Sequence, residues 1–252
     1  MKVVTICQRK GGNGKSTAAL NLAAAFAEQG KRILLVDADD QKNTTSTIPT
    51  RRPIIKDLES LLLEDEACIE DVAEPTLWDG IDLIAGSLGL SSVASELDGM
   101  TNGHLQLRNK LQSADYDICI IDTSPSLNML TINAMCASGG IFIPLASTYF
   151  SLQGLAQTLE SYRKVQNDLH QGLKLYGAAF VIRDWRARLA NEVQEKVKEQ
   201  YPQLLCETVI GRNIKIEEAQ VKKQSILAYA PEDRGAVQYR FLAKELSKRM
   251  AP

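Results

Sequence analysis

Between residues 8 and 17 the chain reads Gln-Arg-Lys-Gly-Gly-Asn-Gly-Lys-Ser-Thr, directly after the apolar run Val3–Cys7 and directly before an alanine- and leucine-rich helical stretch. No other feature narrows the fold as much. Glycines let successive backbone N–H groups curl round an anion, and a helix that starts at the loop's end adds the positive end of its dipole. The loop therefore predicts a phosphate cradle built from Gly11, Gly12, Asn13, Gly14, Lys15, Ser16 and Thr17. Lys15 is placed to reach the β- and γ-phosphates of a nucleotide, and the Ser16 hydroxyl to complete a Mg²⁺ shell. The spacing departs from the usual G-x-x-x-x-G-K-[ST], because Arg9 stands where the first glycine would be.

Beyond the loop, apolar runs rich in β-branched residues recur at Val3–Cys7, Ile33–Val36, Ile81–Ala85, Ile118–Ile121, Ile141–Leu145, Leu175–Ile182 and Cys206–Ile210. Runs without polar alternation suit strands buried on both faces, and the helical patterns between them imply parallel βαβ units. Gly30 stands where the C′ residue of the first helix is expected. The expectation is an α/β fold of three layers, a mostly parallel twisted sheet flanked by helices, in a single domain over residues 1–252. Asn43–Lys56, polar and with two prolines, reads as a loop.

Charge excludes a globally basic nucleic-acid coat: 29 Lys and Arg stand against 31 Asp and Glu, a formal charge of −2. Nucleic-acid binding would have to come from a local patch. Five cysteines, widely spaced and without a C-x-x-C pair, point to a reduced cytosol, with Cys7, Cys119 and Cys206 acting as small hydrophobes. The apolar stretch at the start is too short for a signal peptide, and no run approaches about 18 apolar residues, so a soluble cytoplasmic protein is expected.

Lys10-Gly11-Gly12-Asn13-Gly14-Lys15-Ser16-Thr17 resembles the deviant Walker A motif, K-G-G-x-G-K-[ST], of the ParA/MinD ATPases. Leu34–Gln41 is similar to that family's L-L-x-D-x-D-P-Q segment, and Tyr116–Asp122 to its Walker B strand. Tyr149–Gly154 resembles its Y-Y-A-L-E-G, and Val209–Asn213 its V-I-P-R-N. The resemblance spans nearly the whole chain and comes nearest to the short ParA-type members without an N-terminal helix-turn-helix domain. It implies the P-loop NTPase fold, with ATP and Mg²⁺ as cofactors. Lys10 would then reach across a nucleotide-sandwich homodimer to the partner's phosphates, and Asp39 would orient or activate the attacking water. Ser16 would complete the Mg²⁺ shell, Asp122 and Asp39 would act on it through water, and Arg212 and Asn213 would lie near the adenine.

What the resemblance implies for function is a slow, partner-stimulated ATPase that dimerises on ATP, binds DNA without sequence preference, and is released on hydrolysis. It would segregate or position a chromosome, plasmid or protein cargo over the nucleoid, with a cargo-bound ParB-like activator and no stable membrane anchor. From Arg183 to Lys223 there are nine Lys and Arg against seven Asp and Glu, so position rather than composition singles out the DNA contacts. Arg186 and Lys215 match basic residues of DNA-binding ParA proteins, and Arg183, Arg188, Lys222 and Lys223 would extend the surface. A MinD-like membrane regulator and a P-loop metabolic enzyme are the alternatives. The tail Phe241–Pro252 is expected to pack Phe241, Leu242 and Leu246 on the core. Departures from the family pattern cluster beside Asp39. Asp40 replaces a proline there and could share the water-positioning role, and Lys42 replaces a glycine.

Overall fold

The computed structural model describes residues 1–184 and 188–251. Its first half runs β1 (Lys2–Ile6), α1 (Lys15–Ala27), β2 (Ile33–Ala38), α2 (Asn43–Thr47), α3 (Leu58–Leu63), α4 (Ile69–Val72), β3 (Ala73–Pro75), β4 (Ile81–Ile84), α5 (Leu90–Gly99) and α6 (Gln106–Lys110). The second half runs β5 (Ile118–Thr123), α7 (Met129–Ala137), β6 (Gly140–Ala146), α8 (Tyr149–Asp168) and β7 (Lys174–Ile182). After it come α9 (Arg188–Gln200), α10 (Ile214–Val221), α11 (Ile226–Tyr229) and α12 (Arg234–Arg249). The strands form one sheet in the order β3-β4-β2-β5-β1-β6-β7, parallel throughout except for the edge strand β3, which runs antiparallel to β4.

The uninterrupted apolar runs are explained by helices on both faces. Side chains alternate along a strand, so Ile33 and Leu35 join Ile120 and Phe142 in a core with α1 and α12. Leu34 and Val36 join Cys119 and Ile121 against α3, α5 and α7 on the other face. A third cluster sets Ile141, Ile143 and Leu145 against Leu155 and Leu159 of α8 and Val193 and Val197 of α9. The expected three-layer α/β architecture is therefore present. Cys7, Cys119 and Cys206 are buried within it, and burial pushes the Cys7 thiol up to about 12, which leaves it an inert hydrophobe at neutral pH.

Three local expectations change. Asn43–Thr47 is a short helix, not loop. Cys206–Ile210 runs beside β7 but pairs with it only at intervals, through Cys206 N–H to the Ala178 carbonyl and Ile210 N–H to the Phe180 carbonyl. Between them the N–H groups of Glu207 and Thr208 turn away to the Glu245 carboxylate of α12, at 2.9 and 3.0 Å. In α12 the buried stripe is Tyr239, Leu242, Ala243 and Leu246, at helical spacing, and Phe241 falls off it with 56% of its surface exposed. Among the described residues no helix is long and apolar enough to cross a membrane.

Candidate functional site

Parallel pairing brings the carboxyl ends of β1, β2 and β5 together, and register sets the chemistry there. Asp37 on β2 lies directly opposite Asp122 on β5, and Asp122 is also level with Ile6 on β1, where the glycine loop departs. The loop turns through Gly12 and Gly14, at φ 75° and 77°, a region that L side chains seldom occupy. At Gly14 space is also short: a Cβ would come within 3.0 Å of Val181 and 3.3 Å of Ile182 on β7. Around Gly11 and Gly12 nothing lies within 4 Å of such an atom, so that side of the loop stays open.

A cleft of about 440 Å³ lies over the loop. Gly11, Gly12, Gly14, Lys15, Ser16 and Thr17 form its floor, Asp39, Gln41, Asn43 and Thr47 one wall, and Pro125, Ile182 and Gln220 the rest. Lys15 is only 7% exposed and forms no ion pair among the described residues. Lys10, in contrast, does not line the cleft: it is exposed, with Nζ 5.4 Å from the Phe150 ring centroid. The amino-terminal half of α8 braces the loop. Ser151 Oγ donates to Asn13 Oδ1 across 3.1 Å, and Thr158 Oγ1 donates to Gln8 Oε1 across 2.9 Å while accepting the Arg9 N–H at 3.0 Å. Asn13 Nδ2 is buried without a hydrogen-bond partner among the described residues.

The carboxylates divide their work. Asp37, fully buried, is occupied structurally: it accepts the N–H and the hydroxyl of Thr45, both at 2.7 Å, and so pins α2 beneath the cleft. Asp39 is 4% exposed, with Oδ1 accepting the Gln41 N–H at 3.0 Å. Asp122 accepts the Thr44 hydroxyl on Oδ2 at 2.8 Å, and its Oδ1 is buried with no hydrogen-bond partner among the described residues. Burial, with the adjacent Asp37 adding to it, holds the Asp122 carboxyl well above the ordinary carboxylate range despite Ser16, Thr44 and Lys15 nearby. Burial also raises Asp37 and Asp39. Asp122 and Asp39, buried at the cleft with the Ser16 hydroxyl alongside, leave carboxylate oxygens that a cation can neutralise. That is the chemistry of a Mg²⁺ site, which keeps several waters and takes one or two protein carboxylates. The open glycine loop and the buried Lys15 fit a nucleotide's phosphates equally well.

Other expected contacts fall elsewhere. Arg212 and Asn213 do not line the cleft. Arg212 is exposed, and Asn213 is committed to structure, capping α10 through the Lys215 N–H at 3.0 Å and donating its amide to Asp233. Arg183 is not a surface cation: it is 7% exposed, and its guanidinium is held by Asn191 and Gln194 of α9. Lys215 is half exposed and paired with Asp233 at 3.2 Å, and Lys222 and Lys223 are exposed just beyond α10. Arg186 lies outside the described residues, as does the side chain of Arg188. The sequence reading missed Thr44, Thr45 and Gln220, whose Nε2 donates to Thr17 Oγ1 across 2.9 Å.

A family model described as an AAA domain matches residues 1–175. The chain is 36% identical to the sporulation initiation inhibitor protein Soj of Bacillus subtilis, over 98% of each chain. It is 33% identical to the chromosome partitioning protein ParA of Caulobacter vibrioides, over 99% of this chain and 95% of that one. Among solved structures, cobyrinic acid a,c-diamide synthase from Mycobacterium smegmatis, with bound ATP analogue and magnesium, is similar at a TM-score of 0.84 and 26% identity, covering 98% of this chain and 95% of that one.

Proposed function

The chain belongs to the ParA/MinD family of ATPases, among its short ParA-type members, with ATP and Mg²⁺ as nucleotide and metal, and from that premise we propose that it is a partition ATPase that closes into a homodimer on ATP and binds DNA in that state. The observation that carries this reading is the contrast between two lysines of one loop. Lys15 is sunk in the cleft floor, where its ammonium neutralises the phosphates bound by its own subunit. Lys10 remains outside the cleft against Phe150, where it serves a second copy's phosphates once two cleft faces meet.

Within each subunit, the backbone of Gly11 to Thr17 would hold the phosphates, and Ser16, Asp122 and Asp39 would hold the metal's oxygen shell. Mg²⁺ supplies charge neutralisation along the phosphates when bound. Asp39 positions the attacking water, a contribution typically of about 10²–10⁴ in rate for one well-placed acid or base. Two rigidly linked subunits present two basic patches at once, which raises effective concentration on a phosphate lattice and makes DNA affinity follow the ATP state. A ParB-like protein on the cargo stimulates hydrolysis and returns the monomer, and the chromosome is the surface on which the cycle runs.

Light scattering with Mg·ATP tests this reading. Wild type should dimerise. Lys15→Ala should lose nucleotide binding and with it the dimer, and Lys10→Ala should bind nucleotide but remain monomeric. A Lys10→Ala protein that dimerises like wild type would remove the basis of the assignment.

A further inference from the structure

Asp40 follows the buried Asp39, and its carboxylate both interacts with that of Asp39 and reaches a separate helix. Ser91 Oγ, on the first turn of α5, donates to Asp40 Oδ2 across 2.8 Å, and Gln41 Nε2 donates to Oδ1 across 3.3 Å. The turn is otherwise closed on itself: Gln41 N–H donates to Asp39 Oδ1 and Lys42 N–H to the Asp39 carbonyl, both at 3.0 Å. It ends at Lys42 in the left-handed region, φ 52°, a conformation that disfavours a side chain and that surrounding contacts must hold. Asp39 and Gln41 on this turn line the nucleotide cleft. The Ser91–Asp40 bond thus ties a strained, cleft-lining turn to a separate helix.

That helix is a firm anchor. Leu90, Val93, Ala94 and Leu97 of α5 are buried in the core shared with α3 and α7. The approach to α5 is fixed as well, by Ser87 Oγ donating to Glu59 Oε2 of α3 across 3.0 Å. A hydroxyl that donates to an ionised carboxylate makes one of the stronger hydrogen bonds available to a surface. Ser91 remains exposed, so the bond sits where an event at the protein surface can reach it.

We propose that Asp40 is a positioning residue, whose hydrogen bond to Ser91 fixes the turn carrying Asp39 and so sets the rate of ATP hydrolysis without contributing to nucleotide affinity. This rests on the reading of Asp39 as the water-positioning carboxylate. It assigns a separate task to each member of the acidic pair: Asp39 faces the reaction, and Asp40 faces α5. Displacing a reacting group by about 1 Å can cost as much as 100-fold in rate, and freeing one end of this turn permits a shift on that scale.

Single-turnover ATP hydrolysis and Mg·ATP binding by Ser91→Ala, Asp40→Ala, the double variant and Ser91→Thr test the proposal. Ser91→Ala and Asp40→Ala should each slow hydrolysis by roughly tenfold, with ATP affinity within about twofold of wild type. The double variant should be no slower than Asp40→Ala, because the Ser91 hydroxyl acts through its bond to Asp40. Ser91→Thr, which keeps the hydroxyl, should restore the rate. The proposal is overturned by a wild-type rate in Ser91→Ala, by additive losses in the double variant, or by a loss of affinity in place of rate. A wild-type protein that hydrolyses no ATP would defeat the ATPase reading itself, a different result from any of these.

Discussion

Thr44 and Asp122 stand 78 positions apart in sequence and 2.8 Å apart in space, the threonine hydroxyl donating to Oδ2 at the buried end of β5. The bond fastens α2, which follows the acidic turn, to the strand that presents Asp122. Thr44 is fully buried, so water has no ready access to replace it. Thr44→Val keeps the shape and removes the donor. An acceptor left unpaired in that position costs about 1–3 kcal/mol, to be read as a lowered urea midpoint of the ligand-free protein. The same change should raise the Mg²⁺ concentration needed for half-maximal hydrolysis. An unchanged midpoint would mean that the bond contributes nothing.

Gly154 in α8 lies so near the phosphate loop that a Cβ there would stand 2.8 Å from the Lys10 Cβ and 2.9 Å from Gln8 Oε1. Alanine in place of glycine gains about 1 kcal/mol of helix propensity, whereas forcing a methyl into a filled space costs about 1–3 kcal/mol. The clash is with Cβ, close to backbone, so steric cost should win. Gly154→Ala is expected to lower the melting temperature and weaken ATP binding together. Gly99→Ala, at the end of α5 with nothing within 4 Å of the added methyl, should do neither and serves as the control.

The elements that were legible in the sequence are those whose signal is local. The glycine loop, the strand ending in Asp122 and the apolar runs each carry their meaning within about ten residues, and each holds its expected place except Cys206–Ile210, which pairs with β7 only at intervals. Thr44, Thr45 and Gln220 escaped notice because their roles arise only in tertiary structure: Gln220 meets Thr17 across 203 positions, and threonine in a polar stretch looks like any loop residue. Asp37 was in view but unassigned, since only the register of β2 against β5 shows it facing Asp122. Arg183 misled for the opposite reason. A charge in a basic segment reads as surface until α9 folds over it and takes its guanidinium with Asn191 and Gln194. Lys42 was noted as a departure from glycine, and its φ of 52° shows that the backbone there still takes the conformation a glycine would favour.

Glu245 predicts a pH dependence away from the nucleotide site. Burial opposes ionisation of its carboxyl, but the N–H groups of Thr208 and Glu207 and the nearby Arg249 outweigh burial and hold it below its usual value of 4.5. A depressed folded-state value means stability that is present above the unfolded value and lost as pH falls through the folded one. Glu245→Gln should therefore be less stable than wild type at neutral pH, with the gap narrowing below about pH 4.5 as wild type takes up the proton. Urea midpoints at pH 7, 5 and 4 check this, and a gap that stays constant with pH would mean that the carboxylate charge is not what counts.

The DNA reading becomes sharper once the cations are placed. Lys222 and Lys223 are exposed just beyond α10, and Trp78 Nε1 donates to the Lys223 carbonyl across 3.1 Å, which holds that turn at φ 55°. Lys215, at the other end of α10, is partly neutralised by Asp233 at 3.2 Å, and Arg183 is buried. Each lysine that meets a phosphate releases about one counterion and contributes about 0.9 to the slope of log affinity against log salt. Lys222→Ala and Lys223→Ala should therefore each flatten the slope for the ATP-bound protein by roughly one. Lys215→Ala should do less, because part of its charge is already offset. Arg183→Ala should leave the slope unchanged and instead lower stability, since it removes a buried side chain that ties β7's end to Asn191 and Gln194 of α9. These outcomes separate a phosphate-contacting face from a merely solvated one by filter binding over a salt series with two unrelated duplexes. If the wild-type ATP-bound protein ignores both duplexes at low salt, the exposed lysines have no DNA role and the partition reading loses its means of holding the chromosome.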